Sequence, residues 1–126
     1  TSLGKVLLAF QPEPVIARYK AAVSLQRFTE RTVTTPEGLE QRLQSARETG
    51  YDSALDELDY GIVSVAVPVF DAQRNAIASI NCSTSTTRIS QDELVRTRLP
   101  MLREAAAEIG SALQRWPTLM HSLQQN

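Results

Sequence analysis

The chain has 126 residues, 42 % of them apolar and 21 % charged, with 13 Lys and Arg against 14 Asp and Glu. These values describe one globular domain that buries roughly two thirds of its unfolded surface. The balanced charge argues against a free-standing nucleic-acid binder, and no apolar run approaches the ~20 residues a membrane-crossing helix needs.

Cys82 is the only cysteine and His121 the only histidine. No internal disulfide can form, a reducing cytoplasm is the expected setting, and no metal or other cofactor is expected. The first residue is Thr rather than Met, which predicts a piece of something longer.

Leu3 to Ala9 is a short apolar segment behind a Thr1-Ser2 cap and predicts one or two helical turns. Gln11-Pro12-Glu13-Pro14 ends it and opens a second helix over about Val15 to Leu25, with Ile16, Tyr19 and Val23 at helical spacing. Arg27 to Val33 carries a weak extended signal. Thr34-Thr35-Pro36 starts a third helix, with Leu39, Leu43 and Ala46 on one face and Gly50 as its C-terminal cap. Tyr51 to Tyr60 reads as acidic and irregular, and its Asp56, Glu57 and Asp59 read as a solvated run rather than paired catalytic carboxylates. Two strands follow, over about Ile62 to Phe70 and Asn75 to Ser83. Ser90 with Glu93 three residues later fits a capping box. It opens a long helix with Leu94, Leu102, Ala106, Ile109 and Leu113 as its apolar stripe, in which Pro100 should kink the helix or mark its true first turn. Trp116-Pro117 should stop it, leaving a polar, frayed tail in which His121 is solvated. Trp116 reads as a packing or interface residue. The class is α+β, and an isolated hairpin is too marginal to stand without further strands from elsewhere.

Alternation along the hairpin sorts its side chains. Val63, Val65, Val67 and Val69 share one face with Ala78, Ile80 and Cys82, which places Cys82 in the core. Ile62, Ser64, Ala66 and Pro68 share the other with Ser79, Asn81 and Ser83. A four-residue loop, Asp71 to Arg74, would set Ser64 opposite Asn81 and Ile62 opposite Ser83. A small, uncharged, hydroxyl-rich face leaves room and hydrogen-bonding groups for an oxygen-rich ligand, although many antiparallel sheets simply wet their polar face. Gly4-Lys5 lacks the P-loop pattern. It reads either as an anion site at a helix N-terminus or as a capped start packed on the sheet.

"TSLGKVLLAF", "LQSARETGYD", "DELDYGIVSVAVPVFD", "AIASINCSTSTTR" and "LPMLREAAAEIGSAL" occur in that order. Together they resemble the C-terminal effector-binding domain of IclR-family transcriptional regulators, and the ending looks most like the branch sensing protocatechuate, para-hydroxybenzoate or β-ketoadipate. The resemblance covers nearly all of residues 1–126. It implies a GAF-like antiparallel sheet flanked by helices, with the first strands and a winged helix-turn-helix DNA-binding domain lying outside the chain. It also implies a small carboxylic acid effector of aromatic-acid catabolism held by Ser2, Leu3, Ala54, Ser64, Asn81 and Ser83. Assembly as a dimer or tetramer is implied too, with DNA bound only through the absent N-terminal domain. Two positions depart from the pattern: some relatives carry an acid where this chain has Ala54, and the aromatic-acid branch often carries Arg at Val63. Two rival functions fit the same residues: a GAF-like module of another signalling protein, or a hydrolase using Ser64 or Ser83. The second lacks a nearby histidine base.

Overall fold

The computed structural model of the chain describes residues 1–124. Its elements in chain order are α1 (Ser2–Ala9), α2 (Glu13–Ala22), α3 (Pro36–Thr49), β1 (Asp52–Leu55), β2 (Ile62–Phe70), β3 (Ala76–Ser85), α4 (Gln91–Arg115) and α5 (Pro117–Gln124). The architecture is α+β, with an antiparallel sheet in the order β1-β2-β3.

The helix boundaries follow the capping chemistry. The Thr1 hydroxyl accepts from the Gly4 N–H, Thr35 from Gly38, and Ser90 from Glu93. Each satisfies one of the N–H groups that a helix start leaves free. Gly50 closes α3 in the left-handed conformation at φ 79°, which a residue without Cβ adopts freely. The second helix is earlier and shorter than its spacing suggests. It begins at Glu13, ends at Ala22 and buries only Ile16, while Tyr19 is exposed and Val23 has already turned extended.

The sheet carries helices on both faces. Ala66 packs with Val6 and Ala9 of α1, Ile16 of α2, and Leu39, Leu43 and Ala46 of α3. On the other face Val63, Val65, Val67 and Val69 pack with Leu94, Leu99 and Ala106 of α4. Cys82 is half-buried against this second cluster, as alternation predicts. On α4 the apolar stripe is Leu94, Leu99, Leu102, Ala106 and Leu113, whereas Ile109 turns outward. The helix runs unbroken through Pro100, which lies on the exposed side. The carbonyl four residues back therefore loses its helical donor where water can replace it. Past Trp116 the chain resumes as α5 rather than fraying, with His121 exposed on it.

Three further local readings change. Asp52–Leu55 is a strand, paired to β2 with Ala54 opposite Ser64, so one missing partner of the hairpin lies within the chain. Residues 27–33 form no strand. The Thr32 hydroxyl accepts from the Phe28 and Thr29 N–H groups, and Thr29 and Thr32 donate to the Asp56 and Glu57 carbonyls. Side-chain bonds of this kind hold a loop in competition with any ladder. The hairpin register is also offset by two: Ser64 faces Ser83, Ala66 faces Asn81 and Ile62 faces Ser85. The loop is longer than four residues, with the Asp71 N–H donating to the Asn75 carbonyl, and Ile77 is an extra residue between the Val69–Ala78 and Phe70–Ala76 pairs. A bulge adds one residue to one strand. Loop and bulge together shift the pairing by an even number, so each face keeps its members.

Candidate functional site

The small side chains of the α1 face converge at one end of the sheet. Ala54 on β1, Ser64 on β2 and Ser83 on β3 lie in one cross-strand row. The first turn of α1 crosses above it, with the Ser2 hydroxyl 2.8 Å from that of Ser64. The Leu3 carbonyl accepts from the Ser79 hydroxyl at 3.2 Å, which fixes the helix against β3. Ser2 is 2 % exposed, and Ala54 and Ser64 are each 8 % exposed. Ser83 and Asn81 are open to solvent. Ser2, Ala54, Ser64 and Ser83 are thus brought together. Asn81 lies one row further along, opposite Ala66 rather than Ser64. Leu3 contributes its peptide group beside Ser79 rather than its side chain.

Helix geometry leaves the N–H groups of Ser2 and Leu3 without intrahelical acceptors. The row therefore offers hydroxyls, a carboxamide one step away and the positive end of a helix, with no charged side chain of its own. Such a set suits a carboxylate, which needs donors and tolerates no neighbouring acid. It has no nucleophile–base pair: Ser64 meets another hydroxyl.

Lys5 does not turn toward this row. It is 7 % exposed and pairs with Glu57 and, at 3.8 Å, with Asp52. Arg42 of α3 binds both oxygens of Asp52 at 2.9 and 3.0 Å, pairs with Glu57, and donates to the Ser53 carbonyl at 2.7 Å. Two cations and two carboxylates thus make a closed cluster joining α1, α3, β1 and the turn after β1. Burial pushes the Asp52 carboxyl up, and the charges of Lys5 and Arg42 only partly offset it. Burial also raises Glu57, but hydrogen bonds from Lys5 and Arg42 outweigh that effect and hold it below the ordinary range.

This cluster corrects one reading. Glu57 is not part of a solvated run; Asp59, which accepts from the Tyr60 N–H, remains exposed. The Lys5 charge is consumed within the fold. The signal was present in α1: Ser2, Lys5 and Ala9 stand at i, i+3 and i+7, so Lys5 shares the inner face, and a buried lysine requires an acid. Gln91 also went unread. Its amide donates to the Ser53 hydroxyl, which donates to the Ser64 carbonyl, so α4 braces the same row from the far side.

Residues 1–111 match the family model for the C-terminal domain of the bacterial transcriptional regulator IclR. The Pca regulon regulatory protein of Pseudomonas putida is 34 % identical over 109 residues, covering 86 % of this chain and 38 % of that protein. Among solved structures, the C-terminal domain of the Escherichia coli regulator KdgR superposes with a TM-score of 0.81 at 37 % identity, covering 88 % of this chain and 67 % of that one. The inducer-binding domain of Acinetobacter PobR, a double mutant in complex with 3-hydroxybenzoic acid, does so with a TM-score of 0.81 at 34 % identity over 87 % of this chain and 63 % of that one. The chain spans about two fifths of the length of the Pca regulator that it matches. With a fold, a strand pattern and a sequence shared over nearly its whole length, the chain belongs to the IclR family of bacterial transcriptional regulators, within the C-terminal domain.

Proposed function

We propose that this chain is the effector-sensing part of a transcriptional regulator, and that its effector is a small carboxylic acid, aromatic or derived from ring cleavage. The observation that carries this reading is the uncharged row Ala54–Ser64–Ser83 beneath the first turn of α1. The carboxylate would take the Ser83 hydroxyl, the Asn81 amide and the N–H groups of Ser2 and Leu3. Ala54 leaves space there and adds no negative charge, which favours a ring over a two-carbon acid. The 3-hydroxybenzoic acid named in the PobR complex supports the same class. Two or three charge-assisted bonds, less the cost of ordering the ligand, suggest affinity in roughly the micromolar range. Effector binding would shift an assembly equilibrium and so alter DNA binding by a segment outside this chain.

Calorimetric titration against hydroxybenzoates, protocatechuate and short dicarboxylates tests this. One of these acids should bind, and Ser83→Ala and Asn81→Ala should each weaken it by about tenfold. Unchanged affinity in both variants would put the ligand elsewhere. Esterase activity that Ser64→Ala abolishes would favour a hydrolase instead.

A further inference from the structure

At the other end of the sheet, about 470 Å³ of space lies between the β2–β3 hairpin tip and α4. Phe70 is six residues along β2 from Ser64, roughly 20 Å at ~3.3 Å per residue, so this space is separate from the serine row. On the α4 side Ala106, Ala107 and Gly110 form a thin apolar strip, with Arg103, Ser111 and Gln114 beside it. A Cβ on Gly110 would stand 2.8 Å from the Phe70 carbonyl oxygen, so glycine here lets α4 approach the strand.

Two guanidinium groups line the same space. Arg103 donates to the Thr49 carbonyl at 2.9 Å, leaving most of its five N–H donors uncommitted. Arg74 lies over the Phe70 ring, 4.4 Å from its centroid. Neither meets a carboxylate among the described residues. The one acid on the wall, Asp71, accepts from the Gln73 and Asn75 N–H groups and the Asn75 amide, so it is committed to its own turn. Arg74 also has a left-handed backbone, φ 66°, at a hairpin position where Gly or Asn is less costly. The Phe70 ring, whose other contact is Phe10, thus holds the Arg74 charge in place without an acid partner.

We propose that this space is a second ligand site, which takes a planar organic carboxylate. The acid would be held between Arg74 and Arg103, and its ring would lie against the small residues of α4. The volume falls within the range of small-molecule sites. Arginine matches a carboxylate with two parallel N–H donors, and the strip of Ala106, Ala107 and Gly110 favours a ring over an inorganic anion.

The test follows amide ¹H–¹⁵N signals of the chain titrated with benzoate and, separately, with inorganic phosphate. Benzoate should shift Gly50, Gly110 and Ser111 along one saturation curve, independent of any shift at Ser64 and Ser83. Arg74→Gly and Arg103→Gln should each weaken that curve at least tenfold. Arg74→Gly should melt no lower than the parent, because glycine relieves the left-handed residue, so lost binding could not be ascribed to unfolding. Phosphate should bind more weakly than benzoate. Shifts confined to Ser64 and Ser83, equal affinity in both arginine variants, phosphate as strong as benzoate, or an arginine effect on oligomeric state alone would each overturn the proposal. Ser83→Ala should leave this second curve unmoved, which separates it from the serine-row site.

Discussion

The hydroxyls of Ser2 and Ser64 bond to one another where water does not reach, while Ser83, in the same row, is exposed. Their substitutions should therefore separate. Ser64→Ala leaves a buried hydroxyl short of a partner and should cost about 1–2 kcal/mol in urea denaturation. Ser83→Ala should stay within about 0.5 kcal/mol of the parent, as surface changes do, while weakening the acid by about tenfold. Loss of stability in Ser83→Ala comparable to that in Ser64→Ala would mean that both serines are structural. The row itself was legible in the sequence because period-2 alternation survives any even shift in register. The pairing of Ser64 with Ser83 was not, since it depends on loop length and on the extra residue Ile77. The role of Glu57 is hidden in the sequence for a different reason. Its partners Lys5 and Arg42 are 52 and 15 residues away in the chain, and nothing local distinguishes a paired acid from a solvated one.

At the level of elements, two of the contacts between helices and sheet have opposite characters, one steric and one ionic. Gly110→Ala would gain helix propensity of ~1 kcal/mol, but its methyl would meet a backbone carbonyl that cannot rotate away. The net should be a loss of about 1–2 kcal/mol, read as a lower melting temperature, and an increase would show that α4 shifts freely. On the opposite face the cluster of Lys5, Arg42, Asp52 and Glu57 ties α1 and α3 to β1. Glu57→Gln leaves two cations with one carboxylate and should cost about 3 kcal/mol near neutral pH. The sign of its pH dependence follows from the lowered folded pKa of Glu57. The stabilisation is fully present above the unfolded value, 4.5, and is lost as pH falls through the folded value. The gap between parent and variant should therefore close as the pH falls well below 4.5; a constant gap would mean that Glu57 acts through shape alone. Caps made α1, α3 and α4 readable, because Thr1, Thr35 and Ser90 bond within three residues of themselves. β1 carried no such mark: four residues, Asp-Ser-Ala-Leu, show too little alternation to stand out from a loop.

Across the whole molecule, charge and open edges decide what the chain can do alone. β3 spans ten residues and, among the described residues, pairs with β2 on one side only. An edge of that length is a template for further pairing, so light scattering at high concentration should find species larger than one chain, and a strict monomer would count against this. Nucleic acid is a different matter. Affinity for duplex DNA comes mainly from cations neutralising phosphates, and reading its sequence takes a helix or ribbon fitted to a groove. Here 13 Lys and Arg are matched by 14 Asp and Glu, and Lys5, Lys20, Arg42 and Arg47 are already paired with carboxylates. Arg74 and Arg103, the unpaired cations at the hairpin end, face a space that also holds Asp71, not a continuous basic surface. In a gel-shift titration at physiological salt, this chain alone should therefore show no sequence-dependent retardation at nanomolar concentration. A discrete complex at that level, sensitive to operator sequence, would place a DNA-reading function within these residues.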